Sequence, residues 1–151
     1  MDGENPRSTA RIGTHPIHPM LIPFPIAFFV GTLISDIVYW QTGDPFWATA
    51  SQYLLGAAIV TALLAALAGF TDFFGDRRIR MLSHAVQHML GNLAAVVIAV
   101  INFVMRLGDP AAAIVPTGLI LSLIVGLILL FTGWRGGDLV YKHRVGIPDQ
   151  R

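Results

Sequence analysis

The sequence predicts an all-α integral membrane protein, and three observations carry that prediction. The chain has 151 residues, of which 54% are hydrophobic and only 13% are charged. Soluble domains carry roughly 25% charged residues, so this composition leaves too few polar side chains to face water. The charges are also clumped, because residues 12–35, 45–71, 81–105 and 110–134 contain no Asp, Glu, Lys or Arg. Each uncharged run exceeds the about 20 helical residues that are needed to cross a hydrocarbon core.

We predict four membrane-spanning helices that pack as one bundle in a single domain over residues 1–151. The predicted spans are residues 20–40, 53–74, 84–105 and 114–134, and a tail follows over residues 135–151. Each span is apolar on all faces, whereas an amphipathic soluble helix would show a polar side with a period of 3.6 residues. The connections between spans are short, which favours antiparallel packing of neighbouring helices.

The basic residues predict how the bundle is oriented. Nine of the ten Lys and Arg residues lie before the first span, between the second and third spans, or after the fourth. Arg106 alone lies at the other end. The positive-inside rule then places both termini in the cytoplasm. The formal net charge of +1 gives no sign of a nucleic-acid surface, so the bilayer is the main expected partner, and a homo-oligomer is left open.

Two ionisable residues stand at the outer ends of predicted spans. Asp36 lies near the end of the first span, and Arg106 ends the third, one turn beyond Asn102. Ionisable groups in lipid usually face the bundle interior and find partners. We therefore expect Asp36 to meet Arg106 or Asn102; the alternative is that Asp36 reaches water. Gly118, Ser122 and Gly126 recur at four-residue spacing and are interpreted as helix-packing positions.

All histidines fall at the predicted inner end of the bundle. They are His15, His18, His84, His88 and His143, and Asp72 and Asp138 lie at the same level. His84 and His88 are four residues apart and share a helix face. The four prolines between residues 16 and 25 predict irregular backbone at the start of the first span. We expect this segment to fold back over the inner mouth and to bring His15 or His18 near His88.

Several kinds of chemistry are excluded by residues that the chain lacks. It contains no cysteine. Disulfides, thiolate metal sites, cysteine-ligated iron–sulfur clusters and covalently attached c-type haem are therefore ruled out. A phosphate-binding glycine motif, a G-x-S-x-G elbow and an H-E-x-x-H motif are also absent from the sequence. A stand-alone enzyme is accordingly not predicted.

Four segments together resemble a known family. They are HPIHPMLIPFPI at residues 15–26, AGFTD at residues 68–72, residues 84–92, and GGDLVYKH at residues 136–143. The chain resembles, over about residues 15–147, the bacterial transmembrane family called domain of unknown function twenty-two thirty-one. Relatives often have Gly where this chain has Arg144. The resemblance implies a bacterial plasma membrane location and, because some members are joined to Rieske or cytochrome-type domains, a separate redox partner.

Three functions remain open from the sequence. The first is an electron-transfer subunit that holds a b-type haem, with His18 and His88 as axial ligands and His84 or His15 as substitutes. In that reading Asp72 or Asn92 would fix the ring tautomer. The second is a non-haem transition-metal site with His18, His84, His88 and His143 among its ligands, together with Asp72. The third is a structural or assembly subunit without a cofactor, whose histidines are satisfied by hydrogen bonds.

Overall fold

The computed structural model describes residues 5–148, and four long helices dominate it. The elements are β1 (Arg11–Ile12), β2 (His15–Pro16), α1 (Ile17–Leu21), α2 (Pro23–Thr42), α3 (Pro45–Gly75), α4 (Arg77–Arg80), α5 (Ser83–Met105), α6 (Pro110–Ala113), a π-helical turn (Ile114–Gly118) and α7 (Leu119–Tyr141). Four segments are long and apolar enough to cross a membrane: Ile17–Thr42, Pro45–Gly75, Ser83–Met105 and Pro110–Tyr141. This confirms the predicted number of membrane-length helices.

The first span begins more regularly than the prolines predicted. Strands β1 and β2 form a small antiparallel hairpin, whose turn places Gly13 at a φ of 60°. Helix follows directly from Ile17, and its only break is at Ile22, between α1 and α2. Irregular backbone therefore ends before the second pair of prolines, because Pro23 takes the first position of α2. A proline there removes only an N–H that has no helical partner, so it starts a helix readily.

Short capped connections join the spans. Gly43 ends α2 with a φ of 68°, and the Asp44 carboxylate accepts a hydrogen bond from the Phe46 N–H at the start of α3. Asp109 caps α6 in the same way, accepting from the Ala111 and Ala112 N–H groups. Such caps satisfy N–H groups that the first turn of a helix cannot pair internally.

The bundle interior is narrow and built from small residues. Its buried cluster consists of Phe29, Leu55, Ala58, Ala95, Ala99 and Val125. Many large aliphatic side chains point outward instead, among them Leu67, Leu127 and Leu130. In water this distribution would be unfavourable, but lipid tails solvate such side chains, and small interior residues let the helix backbones approach. The burial pattern thus agrees with the span assignment.

The described beginning and end of the chain meet at one end of the bundle, here called the terminal end. The Gly146 N–H donates to the Pro6 carbonyl at 2.8 Å. Residues 5–10, the N-terminal strap, also lie against the end of α3, where Asp72 Oδ1 accepts from the N–H groups of Thr9 and Ala10, each at 2.7 Å. The strap and the tail therefore close the terminal end. The end that contains Arg106 is called the opposite end.

Candidate functional site

Two histidines from different helices meet at the terminal end. His18 lies on α1 and His88 on α5, and their ring centroids are 6.0 Å apart in an edge-to-face arrangement, with an interplanar angle of 87°. Both residues are partly buried. This juxtaposition agrees with the expectation that the proline-rich segment brings His18 to His88.

The protein backbone fixes both rings. His18 Nδ1 lies 2.8 Å from the Ala65 carbonyl oxygen, and His88 Nδ1 lies 2.7 Å from the Thr132 carbonyl oxygen. A carbonyl oxygen can only accept, so each Nδ1 carries the hydrogen and donates it. In a neutral imidazole the other nitrogen, Nε2, then has a free lone pair. The two rings thus share one tautomer, set by main-chain atoms of α3 and α7.

Each ring also rests on a glycine that leaves room for it. A Cβ at Gly69 would lie 3.0 Å from His18 Nδ1, and a Cβ at Gly136 would lie 3.0 Å from His88 Cε1. Contacts that short are tighter than ordinary van der Waals packing. These two glycines explain why α3 and α7 can approach the imidazoles closely enough to accept their hydrogen bonds.

Asn92 and Thr132 extend the hydrogen-bond network around His88. The Asn92 amide donates to His88 Nε2 at 3.1 Å, and its oxygen accepts from the Thr132 hydroxyl at 3.0 Å. Among the described residues, no hydrogen bond reaches His18 Nε2. Thr132 was not singled out from the sequence, because a threonine within an apolar span carries no pattern that marks it as a partner of a distant histidine.

His84 and His143 form a separate pair at the edge of the terminal end. His143 Nε2 lies 3.2 Å from His84 Nδ1, and the ring centroids are 5.0 Å apart. His84 Nε2 faces Asp138 Oδ2 at 3.5 Å, and Lys142 Nζ lies 2.7 Å from Asp138 Oδ1. The structure therefore divides the four predicted metal ligands into two pairs, His18 with His88 and His84 with His143. Within residues 5–148, no group of three His, Asp or Glu side chains is arranged to hold a metal ion.

Two predicted site residues have other surroundings. His15 is exposed, and among the residues that the structure describes the hydrogen-bond partner of its ring is the neighbouring Thr14 hydroxyl, at 3.4 Å. Asp72 accepts hydrogen bonds from the strap, including the Ser8 hydroxyl at 2.9 Å. The strap has irregular backbone with N–H groups to satisfy, so Asp72, which was predicted as an alternative to Asn92 for fixing a ring tautomer and as a metal ligand, binds the strap. The Nδ1 tautomers are set instead by carbonyl oxygens.

A second carboxylate, just outside the second span, also holds the strap. Asp76 Oδ2 accepts from the Arg7 N–H at 3.1 Å and pairs with the Arg78 guanidinium at 2.7 Å. The hydrogen bonds from the Arg78 side chain are the main reason that the pKa of Asp76 is lowered from 3.8 to about 2. The carboxylate therefore stays ionised well into the acid range.

The opposite end contains a fully buried ion pair. Arg106 Nη1 and Nη2 lie 2.8 and 2.9 Å from the two carboxylate oxygens of Asp36. This confirms that Asp36 meets Arg106 and shows that it does not face water. Asn102 contacts the guanidinium and not Asp36, because its oxygen accepts from Arg106 Nε at 3.0 Å.

Two serines complete this ion-pair cluster. Ser51 on α3 and Ser122 on α7 each donate to one oxygen of Asp36 and accept from one terminal nitrogen of Arg106. All five guanidinium N–H groups thus have partners. Ser122 had been interpreted as a packing position only, since serine at a small-residue spacing looks like glycine or alanine in sequence.

Comparison with known proteins gives one match. No curated protein and no solved structure matches the chain. Residues 14–149 match the family described as predicted membrane protein (DUF2231). The matched region contains all four helices of membrane-spanning length and both histidine pairs. The chain therefore belongs to the DUF2231 family of predicted membrane proteins.

Proposed function

We propose that His18 and His88 are the two protein ligands of a redox-active metal centre, with b-type haem iron as the first candidate. The chain would then be an electron-transfer subunit of a bacterial plasma membrane. The observation that carries this proposal is the pairing of two imidazoles from different helices, each with its Nδ1–H held by a main-chain carbonyl. Histidine ligands are usually fixed in this way, through a hydrogen bond from the nitrogen that does not bind metal.

The spacing of the rings supports a shared metal. Metal–imidazole bonds are about 2 Å long, so two imidazoles on opposite sides of one ion have ring centroids about 6 Å apart. The observed separation of 6.0 Å is near that value, but the rings meet edge to face, so one ring would have to turn for both in-plane Nε2 lone pairs to face one ion. Ligation would use the free lone pair of His18 and would replace the hydrogen bond that His88 Nε2 accepts from Asn92.

The number of ligands favours haem over a free ion. A zinc ion in a structural or catalytic site takes three or four protein ligands. Haem would bring most of the iron's ligands in its own macrocycle, so His18 and His88 would be enough to hold it. A pair of histidines is enough for haem, whereas the described residues offer no third ligand beside His18 and His88.

The position of the pair supports a function on one side of the membrane. The interior between the two ends is formed by apolar residues such as Leu55, Ala58 and Ala99, which offer no polar path for an ion. Electrons would therefore be exchanged at the terminal end, and the family resemblance favours a separate Rieske or cytochrome-type protein as the partner. The nine basic residues of the predicted inner side favour a cytoplasmic location for this end.

A structural role is the second candidate function, and one observation favours it. Both nitrogens of His88 already have hydrogen-bond partners within the protein, so the ring is satisfied without metal. In that case the histidine pair joins α1, α3, α5 and α7 at the terminal end, and the subunit serves assembly or stability.

The test is an absorption spectrum with metal analysis on the full chain purified in detergent after expression with added haem precursor. The proposal expects a Soret band, loss of that band in His18→Ala and His88→Ala, and no change in His15→Ala. His15→Ala is the matched control, since it removes an exposed imidazole from the same segment. Bound metal without a Soret band, lost in the same two variants, would replace haem by a free ion. Folded protein with neither would overturn the metal centre and leave the structural role.

A further inference from the structure

The connection between the second and third spans places basic and apolar side chains side by side. Helix α4 is held to the bundle by Ile79, which is only 4% exposed. Around it, Phe74 is 63% exposed and Met81 is 74% exposed. Arg77 and Arg80 are also exposed. Residues 74–81, here called the basic loop, therefore present two guanidinium groups between two apolar side chains.

The two arginines lack a carboxylate partner within the described part of the chain. Arg78 is different, because Asp76 pairs with it. The Arg80 side chain donates to the main-chain oxygen of Phe74, and the Arg77 side chain has neither a hydrogen bond nor an ion pair with the residues that the structure describes. Both guanidinium groups keep donors available for an external anion.

Helix length places this loop at the depth of lipid headgroups. Helix α3 has 31 residues, which corresponds to about 46 Å. A bilayer is about 30 Å thick across its hydrocarbon core and about 40–45 Å with its headgroup layers. The length of α3 therefore places its end and the basic loop that follows at the headgroup layer.

We propose that the basic loop binds the headgroup of an anionic phospholipid. The phosphate would accept hydrogen bonds from Arg77 and Arg80, since a planar guanidinium matches phosphate oxygens. The acyl chains would lie along Phe74 and Met81. A soluble acidic partner fits less well, because it would leave these two apolar side chains without an apolar contact.

The experiment uses native mass spectrometry of the full chain in non-ionic detergent. Equal amounts of phosphatidylglycerol and phosphatidylcholine with identical acyl chains compete for the protein. We expect the wild type to retain phosphatidylglycerol about tenfold better, given the attraction of anionic lipid to each nearby arginine. The double variant Arg77→Gln/Arg80→Gln should lose most of this preference, and Arg77→Lys/Arg80→Lys should keep part of it because the charge remains.

The matched control is Arg11→Gln/Arg144→Gln, which removes two charges from exposed residues at the same end. The control should keep the lipid preference. An equal loss in the control would overturn the proposal, because it would show an effect of overall charge. Displacement of the lipid by inorganic phosphate would assign the loop to free phosphate instead. Binding of polyglutamate through Arg77 and Arg80, with no preference between the two lipids, would assign it to an acidic protein.

Discussion

The two ends of the bundle differ in how far their polar groups are buried and in which groups bind them. At the opposite end, Asp36 and Arg106 are completely buried, and serine and asparagine side chains satisfy what the ion pair leaves unpaired. At the terminal end, His18 and His88 are only partly buried, and main-chain carbonyls hold them. In the ion-pair cluster every guanidinium N–H has a partner, whereas the histidine pair keeps a free nitrogen lone pair on His18.

This difference separates a cluster whose hydrogen bonds are complete from a pair that keeps an unused acceptor. Charges are expensive to bury, and a buried ion pair is tolerated only when its hydrogen bonds are complete. The ion-pair cluster meets that condition by joining all four long helices, from Asp36 on α2 to Ser122 on α7. It has no donor left over for a ligand. The histidine pair, by contrast, keeps one unused acceptor among the described residues, the Nε2 lone pair of His18.

The largest expected effect comes from breaking the ion pair. Asp36→Ala leaves the Arg106 guanidinium buried without its counter-charge, and we expect a loss of about 3–5 kcal/mol in the free energy of unfolding. Unfolding in mixed detergent micelles measures this loss of stability. Asp109→Ala, which removes an exposed cap at the same end of the bundle, should cost about 1 kcal/mol.

The double variant Asp36→Leu/Arg106→Met sharpens this first prediction. Replacing both charges by apolar residues of similar size should restore most of the stability that Asp36→Ala loses. Haem or metal content should follow the stability of the fold and not the ion pair itself. If the double variant were less stable than Asp36→Ala, the ion pair would contribute more than the avoidance of an unpaired charge.

The second prediction tests whether the terminal end needs a glycine at position 136. Gly136→Ala places a methyl group 3.0 Å from the His88 ring, so the ring must shift and its bond to the Thr132 carbonyl must weaken. We expect a destabilisation of about 1–3 kcal/mol, measured by unfolding in mixed micelles, and a changed spectrum if a metal is bound.

Gly133→Ala, on the same helix, is the matched control for Gly136→Ala. Its Cβ would meet nothing within 4 Å. It should leave the His88 ring in place and be neutral or stabilising, because alanine favours helix over glycine by about 1 kcal/mol. Equal effects of the two substitutions would show that helix propensity, and not contact with His88, decides the outcome.

The third effect concerns the strap that covers the terminal end. Asp72→Ala removes the acceptor of the Thr9 and Ala10 N–H groups, so residues 5–10 should exchange amide hydrogens about tenfold faster. Hydrogen exchange with mass spectrometry measures this. Asp44→Ala, a carboxylate at the other end of the same helix, should leave strap exchange unchanged. Unchanged exchange in Asp72→Ala would mean that Asp76 and the tail hold the strap without Asp72.

The sequence limits the partners of Asp36 to Arg106, Asn102 or water, because lipid restricts the alternatives. A carboxylate and a guanidinium near the ends of two apolar helices have few possible partners, and in the structure Asp36 pairs with Arg106. Ser51 and Ser122 were missed because their contribution depends on the rotation of α3 and α7 about their axes. A sequence gives the face that residues share, but it does not say which neighbouring helix that face meets.

The same limit explains why the sequence predicts only part of the histidine arrangement. Their common end follows from four crossings of the membrane, and His18 does lie beside His88. His84 lies one turn from His88 but contacts His143 instead, because the tail after α7 folds back over the terminal end. Where a tail or strap packs depends on hydrogen bonds of irregular backbone, such as that between Gly146 and Pro6, and these leave no periodic signal in the sequence.

The smallest expected effect is a pH dependence at the terminal end. The pKa of Asp76 is about 2 in the folded protein and 3.8 without the fold, because Arg78 and the strap favour its charged form. A lowered pKa adds stability that is present above about pH 4 and is lost as the pH falls towards 2. Solvent screens this exposed pair, so we expect at most about 0.5 kcal/mol. Thermal unfolding of the wild type and Asp76→Asn should differ slightly at pH 6 and converge near pH 2. A difference that grows on acidification would mean that another group titrates with the strap.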